Sequence, residues 1–512
     1  MPFGYTGEKM EIEKYLKELQ KTEDLLSLTN EELSRFAKKT DEFLSFIGEI
    51  VEPLKNYDKF IREFLRLGLS VEAAMLYREQ ARVYREKNDE QKYLRNLYRY
   101  YETLLMTLYI PPVYEDLMEK ARTYENTSMG PLFYYLVGFT QHFHLFEYER
   151  AYDTYLYALN LLDKVNERVF NKYKLIKYRD FKLLLLSNMV DTLLRALFKE
   201  GKNTEYISYI NSHLNELRKV EKDKLFFTFN EIEFNLCNQN INKAANLLME
   251  IDDKIIHDRS KRHMLPILYR TWALFSWQRG DTKGTVGYFK RALKEAIHLG
   301  DELRQKEIID TIVLVLAMDT PHINILSQEG KELLLYLLST LLSKDWYLGD
   351  DHSKKVAEYS RKVAKAYAML GGKEINPNKI YLAGLLHDTG KLYIPWYILN
   401  KPTKPMDLEW ESIKYHPTYG AVIVKNIGIP TFARYVEEHH ERIDGSGYPY
   451  GIKDPHIISQ IIGIVDDFAA ATALTRKYQK PLSKEEAIRE LEKQKGMKFH
   501  PKVVEALKKA VL

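Results

Sequence analysis

The amino-acid sequence predicts an all-α protein in two parts, a long solenoid of helical hairpins followed by a smaller helical domain. Apolar residues recur at three- and four-residue spacing through most of the chain, which is typical of amphipathic helices. Residues 1–334 hold only 12 of the 24 glycines and 7 of the 17 prolines, so turns are dense only beyond residue 334. Seven of the 14 histidines also lie beyond that point. The second part therefore carries the tight turns and the reactive side chains.

The first part contains pairs of apolar helical stretches separated by short polar turns. The periodic residues of the four clearest pairs are Tyr77, Ala81 and Tyr84 with Tyr93, Leu97 and Tyr100; Gly138 with Ala151, Tyr155 and Ala158; Phe229, Ile232 and Leu236 with Ala244 and Leu248; and Tyr269, Trp272 and Ala273 with Phe289 and Ala292. These units resemble tetratricopeptide repeats, although their spacing drifts and no unit fully matches the consensus. We expect a TPR-like solenoid that presents a surface to a peptide or protein. A plain helical bundle without a partner is the alternative.

The beginning of the chain is predicted to form separate helices. Glu11–Glu23 and Asn30–Leu54 are amphipathic stretches that would cap the solenoid or mediate self-association. The predicted domains are therefore 1–60, the N-terminal helices; 61–334, the hairpin repeats; and 335–512, the second helical domain.

Composition narrows the class of protein. A hydrophobic fraction of 45% supports large cores and argues against disorder. The most apolar stretch, Leu183–Phe198, is interrupted by Asp191 and Arg195, so no transmembrane span is expected. The N-terminus lacks an apolar signal core, and Cys237 is the one cysteine, which excludes an intramolecular disulfide framework. We expect a cytoplasmic protein, and its net charge of +4 gives no sign of general nucleic-acid binding.

Two short motifs in the second part indicate a hydrolytic metal centre. One is HHERIDGSGYPYG, from His439 to Gly451, and the other is HDTGK, from His387 to Lys391. Two adjacent imidazoles, each with a lone pair, suit a cation. Glycine and proline in the tail of the first motif predict a tight loop beside it. An ordinary polar turn after a helix is the alternative for this motif taken alone.

Further polar residues in the same region widen this set. Its members are His352, His387, Asp388, His416, His439, His440 and Asp466. Several of them stand at the ends of apolar runs, where burying a polar side chain is costly unless it is paired or bound to a metal. Five histidines and two aspartates exceed what one cation needs and suit two cations that share a bridging carboxylate. Imidazole with carboxylate favours Fe, Mn, Ni or Zn over Mg or Ca.

These motifs resemble the HD-GYP phosphodiesterases, a branch of the HD-domain metal-dependent phosphohydrolases. The resemblance runs from about Leu335 to the C-terminus. The matching segments are HDTGK (387–391), KYHPTYG (414–420), HHERIDGSGYPYG (439–451), IIGIVDDF (461–468), TRKY (475–478) and FHPKVVEAL near the end. Because these motifs occur in order and at suitable distances, the resemblance is far more specific than a lone His-Asp pair.

The resemblance implies a role for each matching residue. His352, His387, Asp388 and Asp466 match the ligands of one metal, with Asp388 bridging, and His416, His439 and His440 match those of the second. Lys391 matches a lysine that faces the scissile phosphate, Gly447-Tyr448-Pro449 is the substrate loop, and Arg476 matches an arginine that contacts the ligand. Leu348 replaces the glutamate that holds a third metal in some members, so two ions, Fe or Mn by preference, are expected. One apparent extra residue before Arg476 puts that assignment in doubt.

The implied activity is hydrolysis of cyclic di-GMP to pGpG, and in some members on to GMP. The repeats would then bind a protein partner or regulate the enzyme. Three alternatives stay open. The first is a catalytically weak receptor that signals through the repeats. The second is a phosphodiesterase for another cyclic dinucleotide such as cyclic GMP-AMP. The third, an HD hydrolase for other nucleotides or RNA, is disfavoured by the loop motif.

Overall fold

A computed structural model describes residues 8–22, 25, 28–48, 57–201, 203–220, 225–317, 352–473 and 481–512. Within these ranges the chain forms α-helices and short 3-10 turns and no β-strand, so the predicted all-α class is confirmed. The chain divides into two compact units, Met1–Thr311 and Ile312–Leu512.

The helices of the first unit follow one another with short connections. They are α1 (Glu8–Lys21), α2 (Asn30–Gly48), α3 (Tyr57–Arg66), α4 (Ser70–Glu86), α5 (Glu90–Leu105), α6 (Pro111–Thr123), α7 (Gly130–Phe143), α8 (Tyr148–Leu162), α9 (Glu167–Asn171), α10 (Tyr178–Glu200), α11 (Thr204–Val220), α12 (Leu225–Cys237), α13 (Ile241–Ile256), α14 (Leu265–Gln278), α15 (Thr282–His298) and α16 (Glu302–Ala317). The last of these, α16, crosses the division between the two units.

The packing of these helices is serial. The helices of each predicted pair contact each other, namely α4 with α5, α7 with α8, α12 with α13 and α14 with α15. Helices also pack on the helix two places further along, as α8 does on α10, α10 on α12 and α12 on α14. Contact between near neighbours in the sequence is typical of hairpin repeats. The N-terminal helices continue the pattern, since α1 contacts α3 and α2 contacts α4.

One small residue shows why the repeat pattern needs its spacing. A Cβ atom placed on Gly138 of α7 would lie 2.8 Å from Cδ1 of Tyr155 on α8. Only glycine leaves room for the buried tyrosine ring at this helix crossing. Gly138 and Tyr155, both singled out by their spacing in the sequence, are therefore direct packing partners.

The predicted domain boundaries stay predictions. The boundary at residue 60 falls inside helix α3 (Tyr57–Arg66), and the boundary at residue 335 lies outside the described residues.

The second unit contains shorter helices joined by turns. They are α17 (His352–Met369), α18 (Pro377–Leu386), α19 (Trp396–Asn400), α20 (Asp407–Ile413), α21 (His416–Asn426), α22 (Ala433–Glu437), α23 (Ile457–Ala471), α24 (Lys484–Glu492) and α25 (Pro501–Val511). Helix α17 packs on α18, α23 and α25 around a core rich in isoleucine and valine. This core holds α17 and α23 side by side and so fixes the two helices that carry His352 and Asp466.

Among the residues that the structure describes, none of the helices combines the length and the apolar character needed to cross a bilayer.

Candidate metal centre

The structure brings all seven predicted metal ligands together. His352 begins α17, His387 and Asp388 directly follow α18, His416 begins α21, His439 and His440 follow α22, and Asp466 lies within α23. Their ligand atoms form overlapping groups whose members all lie within 4.8 Å of one another. The groups are His416, His439 and His440; His352, His387 and Asp388; His387, His439 and Asp466; and His440, Asp466 and Asp467, of which Asp467 was not predicted. Asp466 follows the apolar run Ile461–Val465, and α23 itself continues to Ala471.

Backbone carbonyls orient three of the histidine rings. In each ring Nδ1 lies against the carbonyl oxygen three residues earlier, at 2.7 Å for His387, 2.7 Å for His416 and 2.5 Å for His439. A carbonyl oxygen only accepts hydrogen bonds, so Nδ1 carries the proton when the ring is neutral, and Nε2 of the neutral ring presents a lone pair. This is the arrangement that metal-ligating histidines commonly adopt.

The lone pairs of these rings face one another in a buried space. Nε2 of His416 lies 3.3 Å from Nε2 of His439. Nε2 of His352, Nε2 of His387 and Oδ1 of Asp388 are all buried and without a hydrogen-bond partner. Buried polar atoms without partners cost free energy. Cations bound in this space would satisfy these atoms, so the donor set fits a metal centre.

Asp388 stands between two groups of histidines. Its Oδ2 lies 3.1 Å from Nε2 of His387 and 3.7 Å from Nε2 of His352. Its Oδ1 faces the other way, 3.2 Å from Nε2 of His416. One carboxylate thus reaches both groups, which is the placement that a bridging ligand requires.

Asp466 completes the first of these groups. Its Oδ1 lies 3.0 Å from Nε2 of His352, and its Oδ2 lies 3.8 Å from Nε2 of His440. Two carboxylates and five imidazoles therefore converge within one buried volume of the second unit.

The electrostatics of the site keep its carboxylates ionised. Burial alone would raise the pKa of Asp388, but His387 and Lys391 outweigh burial and hold that pKa well below its usual range. Burial likewise opposes ionisation of Asp466, but the neighbouring imidazoles of His352 and His387 outweigh burial and lower its pKa well below the usual range. Two anions in a closed space favour the binding of cations.

The pKa values of the histidines shift in two different directions. Burial disfavours the imidazolium form of His387, yet the neighbouring Asp388 and Asp466 carboxylates raise its pKa to about 10. Burial and the adjacent rings lower the pKa values of His439 and His440 well below the usual range. His439 and His440 are therefore neutral at pH 7, as metal ligands need to be.

Lys391 adds a cation at the edge of the site. It lies in a 3-10 turn, Thr389–Tyr393, which directly follows Asp388. Its Nζ lies 2.8 Å from Oδ2 of Asp388, and the side chain is mostly buried. The ammonium group is thus fixed beside the carboxylate that reaches both histidine groups.

The Gly447-Tyr448-Pro449 loop lies against the second histidine group. The ring of Tyr448 stacks on the ring of His440, with centroids 4.5 Å apart. A Cβ atom on Gly447 would come within 2.5 Å of the backbone at His440 and Glu441, so only glycine fits at this close approach. The predicted tight loop is therefore present at the mouth of the metal centre.

Sequence reasoning missed the acids that hold this loop. The buried carboxylate of Glu441 accepts hydrogen bonds from the backbone N–H groups of Tyr450 at 2.7 Å and Ile452 at 3.0 Å. Glu438 accepts a bond of 2.6 Å from the backbone N–H of His456. Both acids flank the His-His pair in the sequence. A signal for their role is present there, because each acid stands beside a predicted ligand and just before a loop whose backbone N–H groups need acceptors.

Two residues named from the resemblance lie outside the described residues. These are Arg476, matched to a ligand-contacting arginine, and Leu348, which stands where some relatives carry a third-metal glutamate.

Comparison with known proteins agrees with this geometry. Residues 336–503 match the family described as HD domain. A cyclic di-GMP phosphodiesterase of Thermotoga maritima is 39% identical over 162 residues, which are 31% of this chain and 43% of that protein. A 3'3'-cGAMP-specific phosphodiesterase of Vibrio cholerae is 31% identical over 230 residues, 43% of each chain. A cyclic di-GMP phosphodiesterase of Pseudomonas aeruginosa is 41% identical over 134 residues, 25% of this chain and 32% of that protein. The chain spans less than half the length of these relatives.

Proposed function

We propose that the C-terminal region, which matches the HD-domain family over residues 336–503, is of the HD-GYP branch, and that the chain is a metal-dependent cyclic-dinucleotide phosphodiesterase. Its substrate is cyclic di-GMP, which it hydrolyses to pGpG, with GMP as a further product. The observation that carries this proposal is the convergence of five imidazoles and two carboxylates whose lone pairs face one another in a buried site.

The ligand set divides between two ions. His352, His387, Asp388 and Asp466 would hold the first, and His416, His439 and His440 would hold the second, with Asp388 as the shared ligand. The two oxygens of Asp388 face different histidine groups, which supports its bridging role. Imidazole and carboxylate ligands suit divalent Fe or Mn, with Ni and Zn as alternatives.

The bound ions would supply a hydroxide near neutral pH and neutralise charge on the phosphodiester. The chain's own residues do the rest. Lys391 places a fixed ammonium group 2.8 Å from Asp388, where it stabilises the negative charge that develops on the phosphate oxygens. Because Lys391 is mostly buried, its charge acts in a medium of low dielectric, where it is stronger than in water.

The substrate is held by the loop at the mouth of the site. Gly447, Tyr448 and Pro449 bind it, and Arg476 contributes a contact to phosphate or base. Stacking of Tyr448 on His440 supports this proposal, because it places the phenol ring directly beside the second group of ligands.

The proposal is tested by purifying the full chain, measuring bound metal and following cyclic di-GMP by chromatography. We expect two transition-metal ions per chain and accumulation of pGpG. 3'3'-cGAMP is assayed in parallel, because one relative is named as specific for it. If 3'3'-cGAMP is cleaved faster than cyclic di-GMP, then 3'3'-cGAMP is the substrate, and the chain is still a cyclic-dinucleotide phosphodiesterase. Tight binding of either dinucleotide without turnover by the metal-loaded protein would favour the receptor alternative.

The repeats form a regulatory or protein-interaction module of a cytoplasmic enzyme. Their serial packing supports this role, because stacked helical hairpins present an extended surface to a partner. None of the His/Asp groups that suit a metal lies in the described residues of the first unit. A chain that starts near residue 325 should therefore bind metal and cleave cyclic di-GMP at an altered rate, measured in the same assay.

A further inference from the structure

Helix α20 is a short helix that lies directly upstream of a metal ligand. It ends at Ile413, whose carbonyl oxygen accepts the hydrogen bond from Nδ1 of His416 at 2.7 Å. The position of α20 is thus coupled to the orientation of the His416 ring. None of the motifs that identify the family includes this helix.

A buried ion pair fixes α20 in place. Nζ of Lys401 lies 3.2 and 3.3 Å from the two carboxylate oxygens of Glu409, and both side chains are fully buried. Glu409 also accepts a hydrogen bond of 2.6 Å from the backbone N–H of Met406 at the start of the helix. A charge pair in this environment is costly to break. One face of α20 is therefore anchored, and Trp410, the next residue after Glu409, lies about 100° further round the helix.

Trp410 lies beside the substrate loop with an open ring face. Its ring centroid is 6.1 Å from that of Tyr448, and the two planes meet at 76°. Such an edge-to-face contact leaves at least one face of the indole uncovered by Tyr448. Tyr448 in turn stacks on His440, so the row of rings leads from the metal ligands outward to Trp410.

The exposure of Trp410 is unusual for its size. It is 44% exposed, and among the described tryptophans it alone falls in the group of large exposed hydrophobic side chains. A large aromatic surface left open beside a site that binds a small molecule is a ready contact for a flat aromatic ligand. Every nucleobase has such a flat π-face, and stacking on an aromatic side chain does not depend on the base's hydrogen-bonding pattern.

We propose that Trp410 is a stacking platform for a purine base of the bound cyclic dinucleotide. This inference rests on the proposed function. The phosphodiester lies at the metal centre beside Lys391, and Tyr448 and Trp410 form the aromatic wall along which the base extends. The platform binds the substrate but takes no part in bond cleavage, so it acts on KM.

The test compares Trp410→Ala and Trp410→Phe in the full, metal-loaded chain. With cyclic di-GMP, Trp410→Ala should raise KM by about 5- to 150-fold, the range expected for losing one base–aromatic stack, while kcat stays within a few-fold. Trp410→Phe keeps an aromatic face and should restore most of the loss. Bis(p-nitrophenyl) phosphate lacks a purine, and Trp410→Ala should cleave it with nearly unchanged kcat/KM.

A matched control removes exposed apolar surface elsewhere in the same unit. Met369 is 61% exposed at the far end of α17, about 25 Å along the helix from His352. Met369→Ala should leave KM for both substrates unchanged.

Three outcomes overturn the inference, each in a different way. An unchanged KM for cyclic di-GMP in Trp410→Ala rules out stacking while the proposed function stands. An equal loss with both phosphodiesters shows that Trp410 only supports the loop or His416. If the wild-type chain cleaves bis(p-nitrophenyl) phosphate but no cyclic dinucleotide, the proposed function fails, and the stacking inference fails with it.

Discussion

Both units of the chain bury a cluster of histidines and charged side chains, but the two clusters are balanced differently. In the second unit, the carboxylates of Asp388 and Asp466 converge with five imidazoles, and Lys391 is the cation paired with them. In the first unit the buried acids meet guanidinium groups. These pairs are Asp191 with Arg195, Glu233 with Arg270, and Glu307 with Arg304.

The difference lies in where the positive charge comes from. The first-unit cluster contains its own cations, because each acid has an arginine on the same or a neighbouring helix. Burial would raise the pKa of Asp191, yet Arg195 and His142 lower it to about 2. The second-unit cluster instead leaves lone pairs facing one another at 3.3 Å. Buried acids with matched arginines are therefore structural, whereas buried acids among imidazoles with facing lone pairs favour the binding of a cation from outside.

The largest expected effect follows from removing the shared carboxylate of the metal centre. Asp388→Ala should lose both ions and all phosphodiesterase activity, because the two oxygens of Asp388 face different histidine groups. Metal content by elemental analysis and turnover of cyclic di-GMP measure this loss. Asp444→Asn, an exposed acid of the same region, is the control and should keep both ions. Two ions bound at wild-type affinity in Asp388→Ala would show that this carboxylate does not bridge.

Removing a cation from the first-unit cluster should lower the stability of the fold and leave the metal content unchanged. Arg270→Met leaves the buried carboxylate of Glu233 without its cation, which typically costs about 3–5 kcal/mol. Calorimetry should show a lower unfolding temperature in Arg270→Met. The transition that moves should be the one whose temperature does not change when metal is added. The double variant Glu233→Met with Arg270→Met removes both charges and should recover much of the loss. A fall in bound metal in Arg270→Met would contradict the separation of the two clusters.

Lys391 tests whether the cation of the metal centre serves chemistry or only balances charge. Lys391→Ala should keep the metals and lower kcat by roughly 10²-fold, as expected when a fixed electrostatic stabiliser is lost. Lys391→Arg keeps the positive charge and should lose less. Metal content is measured alongside kcat, because Nζ of Lys391 contacts Asp388. Unchanged kcat at saturating metal would exclude a catalytic role.

The sequence revealed those features that depend on local spacing. The hairpins of α4 and α5 or of α14 and α15 follow from apolar periodicity, and the Gly138–Tyr155 contact follows from the need for a small residue. The candidate metal ligands were predicted as a set because their motifs resemble one family. Neither inference required knowledge of contacts between distant helices.

Features that depend on distant partners could not be predicted in this way. The pair Arg270–Glu233 joins residues 37 apart, and the contact of Lys306 with His144 joins residues 162 apart. An acid or lysine in an amphipathic helix is normally solvated, and only the packing of other helices makes it buried. For the same reason the sequence did not predict that Glu441 accepts hydrogen bonds from the loop, or that Trp410 lies beside Tyr448.

The smallest expected effect is a pH dependence confined to the first unit. Nζ of the buried Lys306 lies 2.7 Å from Nδ1 of His144, whose Nε2 is bonded to the carbonyl oxygen of Leu105. Burial lowers the pKa of Lys306 from 10.5 to about 7, and the nearby Asp310 only partly opposes this. Between pH 7 and 10.5 the unfolded chain therefore binds more protons at this lysine than the folded chain, so this group makes stability rise with pH.

Replacing the lysine should remove that rise. In Lys306→Met the unfolding temperature of the first unit should change less between pH 7 and pH 9.5 than in the wild type, by a few degrees. Calorimetry at several pH values measures the slope, and Lys294→Met, an exposed lysine of α15, serves as the control. The slope, and not the absolute stability, is the diagnostic quantity, because the variant also takes a hydrogen-bond partner from His144. An identical slope in wild type and Lys306→Met would mean that Lys306 stays charged in the folded chain and belongs with the matched arginines.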